Sequence, residues 1–203
     1  ILQAIILGIV EGVSEFLPIS STGHMILTAD LLNIAKSDFL STFEISIQLG
    51  AILAVVIIYF KKVFAGKKLF LTIGLAFLPA AVIGLAVYDY LKQYLLGNSY
   101  VVLGALFIGG LAIIIFEFFH KEKPEAIALV ENITYKQAIV IGLFQCLAMV
   151  PGVSRSAATI IGGLTLKIKR RAIVEFSFLL AIPTILAATG LDILKSGFNF
   201  RIE

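Results

Sequence analysis

The sequence predicts an all-α polytopic membrane protein: an inverted repeat of a re-entrant helix-loop-helix hairpin plus transmembrane helices. Three observations predict it. The composition is that of a chain whose solvent is lipid. Two apolar stretches break at polar, Ser-rich loops and match each other at a fixed shift. The basic residues cluster so that one of these stretches must enter and leave on the same side.

The chain has 203 residues, of which 60% are apolar and only 14% charged, with 17 Gly and a mean hydropathy of +1.05. Ordinary globular chains carry about 45–50% apolar and about 25% charged residues. This balance excludes disorder, a coiled coil and a soluble enzyme, because a soluble fold of this size cannot hide so much apolar surface. The net charge of +3 and pI near 9 come from short basic clusters. In a membrane protein these are topology signals rather than a nucleic-acid footprint, so no nucleic-acid partner is expected. The single cysteine, Cys146, excludes an internal disulfide and a Cys-rich metal site and is expected to be packing.

Charge-free runs mark the spans, since crossing a bilayer takes about 20 mostly apolar residues. Residues 45–60, 69–88, 93–116 and 176–191 qualify, with Pro79 a candidate kink in the second. Two further stretches differ. Residues 1–17 carry Glu11 and Glu15, break at Pro18-Ile19-Ser20-Ser21-Thr22-Gly23-His24, and resume over 25–32. Residues 137–150 break at Pro151-Gly152-Val153-Ser154-Arg155-Ser156 and resume over 157–166. The pieces are too short to span, and non-helical backbone at membrane depth is tolerated only inside protein or beside a polar cavity. Both stretches are therefore predicted to be re-entrant hairpins.

The two stretches are copies. At a shift of 134, Gly8 falls on Gly142, Glu11 on Gln145, Ser20 on Ser154, Thr22 on Ser156 and Ile26 on Ile160. Downstream, Glu44-Ile45-Ser46 matches Glu175-Phe176-Ser177 at a shift of 131. A single integral membrane domain over 1–203 follows, with repeat one at about 1–60 and repeat two at about 135–191.

Basic residues orient the copies. Lys61, Lys62, Lys67 and Lys68 follow the first span, Lys121, Lys123 and Lys136 the third, and Lys167, Lys169, Arg170 and Arg171 the second hairpin. All can be cytoplasmic only if the second hairpin returns to its own side. The first hairpin then enters from the outside, giving opposed copies with a site where the broken helices meet. All six tyrosines, Tyr59, Tyr88, Tyr90, Tyr94, Tyr100 and Tyr135, lie at segment ends, as an interfacial belt does.

Glu11 and Glu15, four apart, share a helix face, and Arg155 sits in the second break. Each costs about 2.5–3.5 kcal/mol at the centre of a membrane helix, so they must line a polar cavity or pair. Two carboxylates exceed what one arginine needs, and the excess suits a divalent cation, Mg²⁺ or Ca²⁺. Each break precedes a short helix with Ser20 or Ser21, and Ser154, as candidate N-caps. Helix N-termini offer free N–H groups that bind phosphate, and Arg155 adds a planar fork for phosphate oxygens. Ser20, Thr22, Ser154, Ser156, Thr159 and Gln145 form the expected binding set. His24 lies three residues after Ser21, within reach to act as a base toward a hydroxyl. His120, in a charged loop, receives no role.

Gly8-x-x-Glu11-x-x-x-Glu15-Phe16-Leu17-Pro18-x-Ser20-Ser21-Thr22-Gly23-His24 resembles the first signature of the undecaprenyl pyrophosphate phosphatases, the bacitracin-resistance family. Pro151-Gly152-Val153-Ser154-Arg155-Ser156-x-x-Thr159 resembles the second, and Phe43-Glu44-x-x-Ile47-Gln48-Leu49-Gly50-Ala51 also fits. The resemblance implies a bacterial inner-membrane enzyme. It would hydrolyse undecaprenyl diphosphate to undecaprenyl phosphate at the outer membrane face, with a divalent cation, and recycle the lipid carrier for cell-wall synthesis. By position, Glu11 and Glu15 would be the acidic, metal-holding pair. Ser21, His24, Glu15 and Arg155 would be catalytic, and Ser154, Arg155 and Thr159 would hold phosphate. Family members continue with about two more hydrophobic segments beyond the point where this sequence stops. The expected partners are a polyprenyl diphosphate and membrane lipids; the oligomeric state is not legible.

A second reading is a transporter or flippase of a phosphate-bearing lipid on the same inverted scaffold. The Ser21–His24 pair beside paired carboxylates favours the enzyme, because transport does not require it. Phosphatidic-acid-type phosphatases are set aside, since no His follows Ser154-Arg155.

Overall fold

The computed structural model describes residues 1–35, 37–63, 66–95 and 98–196. The helices are α1 (Leu2–Ser14), α2 (Ser21–Leu31), α3 (Asp38–Ile58), α4 (Phe60–Val63), α5 (Lys67–Tyr90), α6 (Ser99–Phe119), α7 (Tyr135–Gln145), α8 (Arg155–Thr165) and α9 (Arg170–Ser196). A π-helical turn, Leu91–Leu95, follows α5, and 3₁₀ turns cover Val130–Asn132 and Cys146–Met149. Among the described residues the only β-type pairing is one isolated bridge, Ile127 with Ile168.

Among the described residues, three helical segments are long and apolar enough to cross a membrane: Lys67–Tyr90, Ser99–Phe119 and Arg170–Leu191. The protein is a multi-pass, all-α membrane protein. Large apolar side chains stand exposed along them, including Phe70, Leu85, Phe107 and Ile114, where a lipid-facing surface needs them. The apolar part of α3, Thr42–Ile58, is shorter, but the whole helix has 21 residues, about 31 Å at 1.5 Å per residue.

Boundaries differ from the sequence expectation where a polar cap decides them. The third span begins at Ser99 rather than near residue 93, because Asn98 Oδ1 accepts from the amides of Tyr100 (3.1 Å) and Val101 (3.4 Å). Residues 96–97 of the expected span lie outside the described residues. The first span starts earlier, at Asp38, where Ser37 Oγ caps the Leu40 amide at 3.1 Å. The last runs over Arg170–Ser196, longer at both ends. α5 continues through Pro79.

Both hairpins close on themselves in the same way. Gln3 Nε2, in the first turn of α1, donates to Leu32 O just past α2 (3.4 Å). Gln137 Nε2, in the first turn of α7, donates to Leu166 O just past α8 (3.1 Å). Donor and acceptor of the second bond each lie 134 residues after those of the first. A side chain thus ties the two legs of each hairpin at its open end.

The open ends lie at opposite ends of α6. Asp30, near the end of α2, accepts from Ser99 Oγ at the start of α6 (3.1 Å). At the far end of α6, Glu117 takes both guanidinium nitrogens of Arg170 (2.7 and 2.8 Å), four residues after Leu166. The basic clusters meet at this second end. Lys62 is bonded to Glu175 and lies 3.8 Å from Glu131, while Lys68 Nζ donates to Glu131 O (2.7 Å). The Glu175 carboxylate holds the Lys62 ammonium above the ordinary lysine range by hydrogen bonding to its charged form.

The main core lies around the second hairpin. Leu69, Ile73 and Ala76 of α5, Ile141 of α7, Leu164 of α8, and Ile173, Phe176 and Leu180 of α9 form one buried cluster. The first hairpin has a smaller one, Leu7, Met25 and Ala29, covered partly by Leu40, Phe43 and Ile47 of α3. In the main core α7 meets α5 so closely that a methyl on Gly142 would overlap the carbonyl oxygen of Ala76. Its repeat counterpart, Gly8, has open space at that position. Gly142→Ala should therefore cost about 1–3 kcal/mol or more, as overpacking against rigid backbone does. Gly8→Ala should leave stability unchanged or raise it by about 0.5–1 kcal/mol. Thermal unfolding in detergent checks both, and equal midpoints for the two variants would contradict the close approach.

Candidate active site

The breaks place two helix N-termini beside polar groups. α1 stops at Ser14, whose Oγ donates to Val10 O (2.5 Å), ahead of Pro18, which lacks an amide. Ser20 caps α2, its Oγ accepting from the Gly23 amide (3.4 Å), with φ at +65°. That backbone region is costly for serine and persists only where its surroundings hold it. Ser154 caps α8, accepting from the Ala157 amide (3.2 Å). Ser20 and Ser154 are equivalent at the repeat shift of 134. Ser21, Thr22, Gly23 and His24 are therefore not in the loop, as the sequence suggested, but in the first turn of α2, because the cap is Ser20. Among the described residues the amides of Ser21, Thr22, Arg155 and Ser156 have no protein partner and remain available to an anion.

A line of short hydrogen bonds joins the hairpins. Ser21 Oγ donates to Glu15 Oε2 (2.5 Å), and Arg155 Nη2 donates to Glu15 Oε1 (2.9 Å). The ion pair is sheltered, with side-chain exposures of 9% for Glu15 and 12% for Arg155. Arg155 Nη1 donates to the carbonyl of Ser177 on α9 (3.0 Å), and Ser177 Oγ bonds Thr159 Oγ1 (2.7 Å). Thr159 is fully buried and also donates to Arg155 O or Ser156 O. Phe16, next to Glu15, packs edge-on against Phe178 of α9 (5.3 Å between centroids) and fixes the break beside Ser177. Two of the five guanidinium N–H groups are used, leaving three for a ligand.

Glu11 lies one turn before Glu15, 1% exposed, and neither carboxylate oxygen has a hydrogen-bond partner. A buried carboxylate without a partner is expensive. Two carboxyl groups stand against one arginine, and Glu15 alone takes it. Among the described residues no group of three or more His, Cys, Asp or Glu forms a self-sufficient metal cage. The donor set is thus two carboxylates with other positions left open, which fits a hard divalent cation completed by substrate oxygens and water.

Several expected residues stand elsewhere. The Ser21 hydroxyl faces Glu15, not His24; His24 Nδ1 instead bonds Ser20 O (2.8 Å). Gln145 accepts from Thr184 Oγ1 on α9 (3.3 Å), its Nε2 buried and unpartnered. Thr184 lies about two turns, some 10 Å, along α9 from Ser177, so Gln145 sits apart from the Arg155 bonds. Ser156 is 1% exposed and its Oγ has no partner. Thr22 is half-buried in the first turn of α2. Cys146 is half-buried, its Sγ donating to Gly142 O (3.3 Å).

Comparison with known proteins decides the family. The family model described as Bacitracin resistance protein BacA matches residues 4–202. The chain belongs to the BacA family. An undecaprenyl-diphosphatase of Wolinella succinogenes is 49% identical over 203 residues, covering all of this chain and 78% of the relative. An undecaprenyl-diphosphatase of Aquifex aeolicus is 50% identical over 201 residues (99% and 78%), and one of Campylobacter jejuni 52% over 194 residues (96% and 72%). In this BacA-family chain, sequence reasoning missed Ser177, whose carbonyl and hydroxyl orient Arg155 and Thr159. The signal was present in the Glu175-Phe176-Ser177 match to Glu44-Ile45-Ser46.

Proposed function

We propose that this protein hydrolyses undecaprenyl diphosphate to undecaprenyl phosphate and inorganic phosphate, and so recycles the carrier lipid of cell-wall synthesis and confers bacitracin resistance. The observation that carries the reading is the Ser21–Glu15–Arg155 line across the two hairpins. It sets a hydroxyl, a base and a phosphate-binding cation together in a sheltered site.

In this reading the three free N–H groups of Arg155 and the amides of Ser21, Thr22, Arg155 and Ser156 bind the terminal phosphoryl group. Such catalysis is mostly positioning and electrostatics. Glu15 Oε2 takes the Ser21 proton as Ser21 Oγ bonds to the terminal phosphorus, and the bond from that phosphorus to the bridging oxygen breaks, releasing the lipid monophosphate. Water then cleaves the phosphoserine, returning the proton to Ser21 and freeing phosphate. Glu11 and Glu15 would hold a divalent cation, Mg²⁺ or Ca²⁺, which when bound supplies positive charge to the diphosphate oxygens. Ser177 and Thr159 keep the guanidinium aimed, and His24, bonded to Ser20 O, steadies the cap that exposes the Ser21 amide.

We also infer a bacterial inner membrane with the site opening to the outer side. Gly23 and Gly152 pack against Leu106 and Val102, in the first two turns of α6. The lysine-rich clusters gather at the other end of that helix, and such clusters face the cytoplasm. Release of phosphate from a polyprenyl diphosphate by the purified protein in detergent tests the activity. Binding of the lipid without release would favour the transporter reading. Glu11→Gln should raise the divalent-cation concentration needed for half-maximal rate and lower turnover, because an amide lacks the charge a hard cation requires. An unchanged Mg²⁺ titration would remove Glu11 from the metal site.

A further inference from the structure

At the end of α6 away from the candidate active site lies a cavity of about 400 Å³. Lys121, Lys123 and Lys167 line it together with His120 and Glu122. Its floor is apolar, formed in part by Phe119, Leu164 and Ile168. Among the described residues, none of the three lysine side chains has a partner. Glu122, whose Oε1 accepts the backbone amide of Arg170 (2.5 Å) at the start of α9, is one carboxylate against three ammonium groups, so the lining keeps a positive excess.

Nor do the lysines serve as helix caps. At the end of α8 the carbonyl of Gly162 accepts from Thr165 Oγ1 (2.7 Å). Gly163 O accepts from Leu166 and Ile168, Leu164 O from the Lys167 amide, and at the end of α6 Phe116 O accepts from the His120 amide. Among the described residues the three lysine side chains donate to none of the carbonyls at the ends of α6 and α8, and those of Phe116, Gly162, Gly163 and Leu164 are already taken.

The wall is built rather than incidental. Lys167 has φ of +59°, a left-handed conformation uncommon for a residue with a side chain. It is held there by the bridge to Ile127: Ile127 N donates to Lys167 O (3.0 Å) and Lys169 N to Ile127 O (2.8 Å). His120 stacks on Phe116 at 4.8 Å and 15°, and its Nε2 is buried without a partner. An imidazole nitrogen removed from water and left unbonded asks for a ligand atom. Phe118 and Phe119, 81% and 76% exposed, flank the site on the apolar surface of α6.

We infer that the Lys121–Lys123–Lys167–His120 cavity is a second, non-catalytic anion site that binds a phosphate group. Three ammonium groups over an apolar floor, at the membrane edge, suit a phosphate carried by an anionic lipid headgroup or met free in solution. The cavity lies outside the proposed hydrolytic machinery, so the inference stands or falls independently of the proposed activity.

The test compares the wild-type chain with K121Q/K123Q/K167Q and with a charge-matched control, K61Q/K67Q/K136Q, whose lysines lie outside the cavity. In nanodiscs mixing phosphatidylglycerol with phosphatidylcholine, retained lipid is counted by native mass spectrometry. Inorganic phosphate binding is measured in phosphatidylcholine discs, in a Glu15→Gln/Arg155→Met background that silences the candidate active site and removes both charges of its buried pair together. Loss of phosphatidylglycerol enrichment by about tenfold or more in the cavity variant alone identifies a lipid headgroup. A comparable loss confined to phosphate binding identifies the free anion. His120→Phe, which keeps the stacking and removes the nitrogen, should weaken whichever ligand binds. Equal losses in the cavity variant and the control, or no binding in either arm, would overturn the site. Turnover of a short-chain diphosphate in detergent should be the same in wild type and in both lysine variants, so failure of the hydrolase reading shows separately in that assay.

Discussion

Arg155→Lys is expected to fold normally and to lose about 10²–10³-fold in kcat, the usual cost of removing one transition-state donor. Lysine keeps the charge but not the fork. Arg155 bonds Glu15 and Ser177 O at once through different nitrogens and still has three N–H groups for phosphoryl oxygens. One ammonium cannot serve all three directions. The conservative variant is the informative one. Arg155→Ala would leave Glu15 buried without its partner, a loss of about 3–5 kcal/mol that confuses folding with catalysis. Steady-state kinetics beside thermal unfolding separates the two. A lysine enzyme within about threefold of wild-type kcat would contradict transition-state stabilisation by the guanidinium.

Ser21→Ala and Glu15→Gln should be the other severe variants, each losing about 10²–10⁴-fold, the range for general-base assistance to a nucleophile. Their 2.5 Å hydrogen bond makes them one proton-transfer unit. The double variant should then be little worse than the poorer single one, as holds for residues that act together. Losses that multiply would mean independent roles, with Ser21 a binding group and Glu15 acting through the metal alone and not as its base. Acid quenching during turnover should trap phosphate on Ser21. A Ser21→Ala enzyme near the wild-type rate would instead make water the direct nucleophile. His24→Ala should lose less than either, since its Nδ1 holds Ser20 O rather than the reacting hydroxyl.

Much of this arrangement is legible in the residues. Apolar runs locate the spans, because lipid leaves few other places for them. Pro18 and Pro151 with their serines mark the breaks, and the basic clusters require the second hairpin to return. What escapes is whatever depends on one cap or one contact. Ser20 and Ser21 are equally good caps on paper, and the choice of Ser20 moves Ser21 to His24 from loop into helix. Glu11 and Glu15 share a face, so sequence cannot say which one Arg155 takes. The packing of Phe16 on Phe178 brings Glu15 to it. Ser177 contributes a carbonyl that any residue would have, and only its place on α9 makes that oxygen matter.

The two kinds of ion pair in this protein have different fates in salt. Glu15–Arg155 is nearly closed to solvent, whereas Arg170–Glu117 is exposed at 45% and 46% and Lys62 at 45%. Mobile ions screen charges that water reaches, over about 8 Å at physiological ionic strength, and screen sheltered ones far less. Rising ionic strength should therefore loosen the clamps that join α6, α4 and α9 at the lysine-rich end while leaving the pair between the hairpins intact. The protein carries an electrolyte-sensitive seam at one end of α6 and an electrolyte-blind centre near the other.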